Sequence, residues 1–325
     1  MKEKQIALTL GSGAALGYAH IGVLKFLEEL NIKLSGIAGT SMGALVGGLY
    51  AYGYSAGELE KLVTRLNSLE IAKFFFPTFP RGGIIDSDNV KKFLASLIGD
   101  ARIEDLSIPF RCVATDILTG NEVVFDSGPL LDGMIASMSI QGMFKPYSCK
   151  GLYLCDGGLC NPVPWDLGNE LGDVNIIVNV LPLLGVTPGG KRKIEKISAL
   201  AKEPIEKKEP GFLDVIKNGS IFDTLKDLMQ DLKDKKTSLK QIHEDLWSKS
   251  EERQPSLTDV LMNWTFMTAV ERRIPKRKKG RKQIILTPDP GKRNPLDFKT
   301  PKPVIAQGYE AAKEQEDRIR KLAGV

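Results

Sequence analysis

QIALTLGSGAALGYAHIGVLKFLEEL, residues 5–30, is the stretch on which the reading of the fold turns. Gln5–Leu10 is an apolar run of strand length. GSGAALG at 11–17 is small and glycine-rich. From Tyr18 to Leu30, the residues Ile21, Val23, Leu24, Leu27 and Leu30 fall on one helical face. A strand, a glycine turn and a helix in that order open an α/β fold built on a parallel sheet.

The glycine turn admits several chemistries. Gly11-x-Gly13-x-x-x-Gly17 could cradle a dinucleotide, but that use needs an acidic residue about 20 positions on, at the end of the next strand. The next strand ends in Gly39-Thr40-Ser41. No Lys-Ser/Thr follows the loop, so it is not a P-loop either. What remains is a row of backbone N–H groups leading into a helix N-terminus, a place for an anion or for an oxyanion.

The second unit repeats the pattern. Ser35–Thr40 reads as a strand and Met42–Tyr52 as a helix of small residues. Between them GTSMGA, residues 39–44, has the G-x-S-x-G form of a nucleophile elbow, with Gly39 and Gly43 leaving room for a tight backbone. The same residues would also serve as a turn in which Ser41 caps the helix.

A nucleophilic serine needs a base, and the chain has 2 histidines. His20 follows the glycine loop on an apolar helix and reads as a packed or loop-bracing residue. His243 would give a hydrolase chain order with Ser41 and an aspartate, but it lies in a highly charged segment. A carboxylate is the other choice. Asp156 ends a short strand, Gly151–Cys155, and precedes Gly157 and Gly158. Functional groups of α/β sheets project from such strand ends. An ordinary carboxylate, with a pKa near 3.9, is a weak base for serine; burial and close alignment would correct that.

The remaining elements fit the same class. Ser55-Ala56-Gly57-Glu58 is a capping box that opens a helix. Asp86–Ile98 and Trp165–Leu171 read as helices; Phe110–Asp116, Glu122–Phe125 and Val174–Leu181 read as strands. Pro188–Gln254 is rich in Lys and Glu and carries a narrow stripe, Ile221, Leu225, Leu228, Leu232, Leu239, Ile242 and Leu246, at helical spacing. It reads as surface helices, with a lid or partner-facing helix as the functional alternative. A helix from Ser256, a strand in QIILTPD and a helix over Pro303–Leu322 close the chain. The expected division is a catalytic α/β core over 1–187, a charged helical insertion over 188–255, and a segment over 256–325 that packs back on the core.

Composition narrows the function classes. At 42% hydrophobic and 26% charged, with no apolar run of about 20 residues, the chain reads as globular and cytoplasmic. Cys112, Cys149, Cys155 and Cys160 form no CxxC pair, so neither zinc nor a disulfide framework is expected. The net charge of +5 is concentrated in RRIPKRKKGRK, residues 272–282. Arg272, Arg273, Lys276, Arg277, Lys278, Lys279, Arg281 and Lys282 form either a solvated loop or a peripheral contact with anionic lipid at the inner membrane face. No aromatic interleaving supports nucleic acid.

GSGAALG, GTSMGA and DGG, in this order and spacing, resemble the patatin-like phospholipases. AHIGVLKFLEE, GALVGGLYA, VATDILTGNEVVF and SMSIQGMFKPY add to the likeness, which runs from about residue 5 to 185. The resemblance implies a three-layer α/β/α fold and a lipid acyl hydrolase that uses a Ser–Asp dyad without histidine, metal or organic cofactor. It makes Ser41 the nucleophile and Asp156 the base, with the amides of Gly13, Ala14 and Ala15 as the oxyanion hole. The family loop is usually G-G-G-x-Arg/Lys-G; here Ala14 replaces a glycine and Leu16 the basic residue. The alternatives are an esterase or thioesterase on soluble acyl compounds, or a non-catalytic lipid-binding protein.

Overall fold

Five parallel strands form the centre of the fold. The computed structural model describes residues 4–65, 87–141, 143–181, 282–291 and 293–324, all within one compact unit. The strands are β1 (Ile6–Leu10), β2 (Leu34–Thr40), β3 (Phe110–Asp116), β4 (Glu122–Phe125), β5 (Tyr147–Cys149), β6 (Leu152–Asp156), β7 (Val174–Val178) and β8 (Lys282–Leu286). They make one sheet in the order β5-β6-β3-β2-β1-β7-β8, with β4 paired to β3. β3, β2, β1, β7 and β8 run parallel; β4, β5 and β6 form the antiparallel part.

Alternating side chains on the central strands show why helices must cover both faces. On β2 and β3, Ile37 and Cys112 join the main core, while their neighbours Ala38 and Val113 join a separate cluster with Cys160 and Leu167. The described helices are α1 (Ala19–Glu29), α2 (Met42–Tyr52), α3 (Ala56–Arg65), α4 (Asp88–Ile98), α5 (Leu130–Met138), α6 (Trp165–Glu170), α7 (Pro301–Lys313) and α8 (Glu316–Ala323). α6 contributes Leu167 to the smaller cluster, whereas α1, α2, α3, α5 and α7 contribute to the main core. The result is a three-layer α/β/α arrangement, as the resemblance implied, on the mainly parallel sheet that the alternation of elements implied.

Local signals acted as expected in several places. The capping box forms: Ser55 N–H donates to Glu58 Oε2 at 2.9 Å, and Glu58 N–H donates to Ser55 Oγ at 3.2 Å. Elsewhere the structure differs. The turn at 11–17 is not open coil but winds into a 3-10 segment, Ala14–Tyr18, ahead of α1. The closing helix is two helices, α7 and α8, separated at Glu314–Gln315. α5 and β5 had no counterpart in the sequence reading. The charged stripe, His243, the helix from Ser256 and all of the basic run except Lys282 lie outside the described residues. Among the described residues, no helix is long and apolar enough to cross a membrane.

Candidate active site

The pairing register explains how residues 115 positions apart meet. β2 pairs with β3 through Thr40 opposite Val113, and there it stops. β6 pairs with β3 from the next position, Ala114 opposite Asp156. β4 overlaps both pairings, across Cys112 to Thr115 of β3, so it occupies the other edge of that strand. β2 and β6 therefore lie end to end along one edge of β3, pointing toward each other. The residue after β2 is Ser41, and the residue that ends β6 is Asp156. Ser41 Oγ donates to Asp156 Oδ2 at 2.6 Å, and both side chains are buried.

Ser41 sits on a strained turn. Its φ is 56° and ψ −120°, a conformation that L-residues rarely adopt and that costs of order 1–3 kcal/mol. Its hydroxyl does not cap α2, so the simple turn reading does not describe it. The strain is held from several sides. Ser41 N–H donates to Ser137 Oγ at 2.8 Å, and Thr40 Oγ1 donates to the Asn161 carbonyl at 2.8 Å. An added Cβ at Gly39 would meet the Gly43 carbonyl oxygen at 2.5 Å, and one at Gly43 would overlap the Leu10 carbonyl. The elbow's glycines are thus required by packing as well as by the turn.

Asp156 is held as firmly. Its Oδ1 accepts from Gly158 N–H at 2.6 Å, its N–H donates to the Ser139 carbonyl at 2.8 Å, and its carbonyl accepts from Thr115 Oγ1 at 2.9 Å. Gly157 leaves no room for a side chain against the Val113 carbonyl. Burial raises the Asp156 pKa from 3.8 to about 6, against the opposing pull of the Ser41 and Gly158 hydrogen bonds. The weak-base objection is met by desolvation. Ser137 and Ser139, at the end of α5, tie Ser41 on one side and Asp156 on the other; no sequence signal singled out these two serines for that role.

The glycine loop borders this pair. An added Cβ on Gly158 would lie 2.9 Å from Asp156 Oδ1 and 3.5 Å from Ser12 Oγ, and one on Gly17 would overlap Met42, the residue after Ser41. Gly11 N–H donates to the Val178 carbonyl and Ser12 N–H to the Pro162 carbonyl. Ala15 N–H donates to the Pro295 carbonyl at 2.7 Å, so it is engaged and is not a third free donor. No acceptor for the N–H of Gly13 or Ala14 lies among the described residues. Ala14 has φ 46°, the left-handed region where the family's glycine would be unstrained. Leu16 is buried in the core rather than presented as a cation would be.

His20 braces this loop. Its Nε2 lies 2.7 Å from the Gly11 carbonyl, and complete burial lowers its pKa to about 4, so it stays neutral and donates from that nitrogen. It contributes no base to Ser41. Among the described residues no group of three or more His, Cys, Asp or Glu could hold a metal.

A buried serine on a strained strand-to-helix turn, bonded to an aspartate and bordered by a glycine loop, defines a class of α/β proteins built around a serine–carboxylate pair. Residues 8–168, about half of the chain, match the family model described as patatin-like phospholipase, so this segment is a patatin-like phospholipase domain. An uncharacterized NTE family protein of Mycobacterium tuberculosis is 40% identical over 163 residues, which is 49% of this chain and 44% of that one. The lysophospholipase NTE1 of Candida glabrata is 34% identical over 168 residues, 50% of this chain and 10% of that one. The chain thus spans less than half the length of these relatives. The crystal structure of VipD from Legionella pneumophila aligns with a TM-score of 0.47 at 13% identity, over 98% of this chain and 67% of that one.

Proposed function

We propose that this chain is a serine acyl hydrolase that cleaves fatty-acyl esters of phospholipids or related lipids. The observation that carries the reading is the 2.6 Å bond from Ser41 Oγ to a buried Asp156 whose pKa is about 6. The match of residues 8–168 to the patatin-like phospholipase model and the lysophospholipase named among the relatives support lipid as the substrate class.

In this mechanism Asp156 Oδ2 takes the Ser41 proton as Oγ attacks the acyl carbonyl. The resulting oxyanion rests on the N–H groups of Gly13 and Ala14, helped by the positive end of the α2 dipole. Asp156 returns the proton to the departing alcohol. It then deprotonates water, which attacks the acyl-serine, and passes that proton to Ser41 Oγ as the acyl–Oγ bond breaks and the fatty acid leaves. His20 holds the loop and takes no proton.

A fluorophosphonate probe tests the nucleophile. The wild-type chain should be labelled at Ser41 and should release fatty acid from lysophospholipid; Ser41→Ala should do neither. Absence of labelling on the folded wild type would remove the enzyme reading.

The base makes a separate prediction. kcat/KM should fall tenfold per pH unit on the acid side, with an apparent pKa near 6, because protonated Asp156 cannot accept the serine proton. An acid limb near 4 would mean that the carboxylate is hydrated during turnover.

A further inference from the structure

Two neighbouring hairpin tips carry apolar side chains that the proposed mechanism does not use. One is the turn between β3 and β4, residues 117–121. The other is the turn between β5 and β6, where Lys150 (φ 49°) and Gly151 (φ 80°) are both left-handed, the backbone of a tight two-residue hairpin. The tips are joined: Ile117 N–H donates to the Tyr153 carbonyl at 2.9 Å. Leu118 is 67% exposed, Tyr153 52% and Leu152 38%. These belong to the small set of large apolar side chains that the described fold leaves in water.

Their position matters more than their exposure. β3 outruns β2: its pairing with β2 ends at Val113, while its turn begins beyond Asp116. β6 starts at the tips and ends at Asp156, so Tyr153 stands three residues, roughly 10 Å, from the candidate base. Both hairpins therefore project past the end of the sheet where Ser41 lies. The chemistry of the tips is also one-sided. Residues 117–121 and 148–153 contain one charged side chain, the exposed Lys150, and no acid. Asp116 beside them is buried, accepting from Leu118 N–H at 3.1 Å and Thr119 Oγ1 at 2.7 Å, so its carboxylate holds the turn.

We propose that these tips form an interfacial anchor. Leu118, Leu152 and Tyr153 enter the surface of aggregated lipid, and Lys150 meets its anionic head groups. An exposed tyrosine beside leucines and a lysine, with the flanking carboxylates engaged (Asp116 within its own turn, Glu122 accepting from Asn161 Nδ2 at 3.0 Å), fits a water–lipid boundary better than a folded protein partner. The anchor sets the molecule on lipid with its candidate site facing the surface. The proposal rests on the lipid-hydrolase reading, and its test separates the two.

The test uses the Leu118→Ser/Tyr153→Ser double variant, whose changes are at exposed positions. In a Ser41→Ala background, co-sedimentation with vesicles of phosphatidylcholine and phosphatidylglycerol reports binding without turnover. The double variant should bind at least about tenfold more weakly than its parent. With Ser41 restored, hydrolysis of vesicle lipid should fall similarly, while turnover of dissolved p-nitrophenyl butyrate stays unchanged. Equal sedimentation, no sedimentation of the parent, or a parallel fall in p-nitrophenyl butyrate turnover would each overturn the anchor. If the wild type fails on every ester, the hydrolase reading is lost, and sedimentation still decides the anchor.

Discussion

Asp156→Asn should lower kcat by about a thousandfold or more while raising the melting temperature at pH 7.5. The two effects share one cause. The folded-state pKa of about 6 lies above the ordinary 3.8, so between those values the folded chain holds a proton that the unfolded chain has released. Stability therefore falls as pH rises through that window, and above it the ionised carboxylate costs the folded state roughly 3 kcal/mol. Asparagine removes the charge and keeps the shape. Its Oδ1 can accept from Gly158 N–H, and its Nδ2 can donate to Ser41 Oγ. The serine then keeps its proton, because no base faces it. The melting temperature should rise by roughly 5 °C. Below pH 4 the gain should vanish, since wild-type Asp156 is then protonated as well. Thermal melts at pH 4 and 7.5, paired with turnover of lysophospholipid, check both halves. A variant that loses activity and also loses stability at pH 7.5 would show that Asp156 serves folding through its charge.

What could be read beforehand follows from the range of each interaction. The glycine turn, the elbow, the capping box and the strands Phe110–Asp116 and Glu122–Phe125 carry local signals, and they appear where those signals lie. The scarcity of histidine pointed to a carboxylate partner, and DGG marked which one to examine. Sequence did not show how the two would meet. That depends on β6 running antiparallel to β3 and starting its pairing one position beyond β2, which is a matter of register. α5 was missed because LLDGMIASM is short and carries a central glycine and a serine; burial against β3 and α2 stabilises it instead. The join between Ala15 and Pro295 spans nearly the whole chain and leaves no local trace. The separation of α7 from α8 falls in Glu-Gln-Glu, which contains no residue that breaks a helix.

Gly308→Ala and Gly22→Ala should each destabilise the protein by about 3 kcal/mol, against the sign that helix propensity gives. Alanine in place of glycine inside a helix ordinarily gains up to about 1 kcal/mol. Here α1 and α7 cross with their backbones in near contact. A Cβ at Gly308 would overlap the Ala19 carbonyl, and one at Gly22 would overlap the Ile305 carbonyl and lie 2.5 Å from Tyr309 N. Backbone cannot rotate away as a flexible side chain can, so the helices must separate. That separation would open the packing of Phe26 on Tyr309, whose rings meet edge-on at 5.5 Å, and disturb buried Val304 and Ile305. Overpacking of this kind typically costs 1–3 kcal/mol and more where the obstacle is rigid. Gly57 provides the contrast. It lies in α3, and a Cβ there would meet nothing within 4 Å, so Gly57→Ala should be neutral to slightly stabilising. Urea melts of the three variants decide the matter. Similar small gains in all three would mean that α1 and α7 have slack between them. Opposite signs would show that close helix contact sets the requirement for glycine, and because α1 follows the loop at 11–17, loosening that contact should also slow ester turnover.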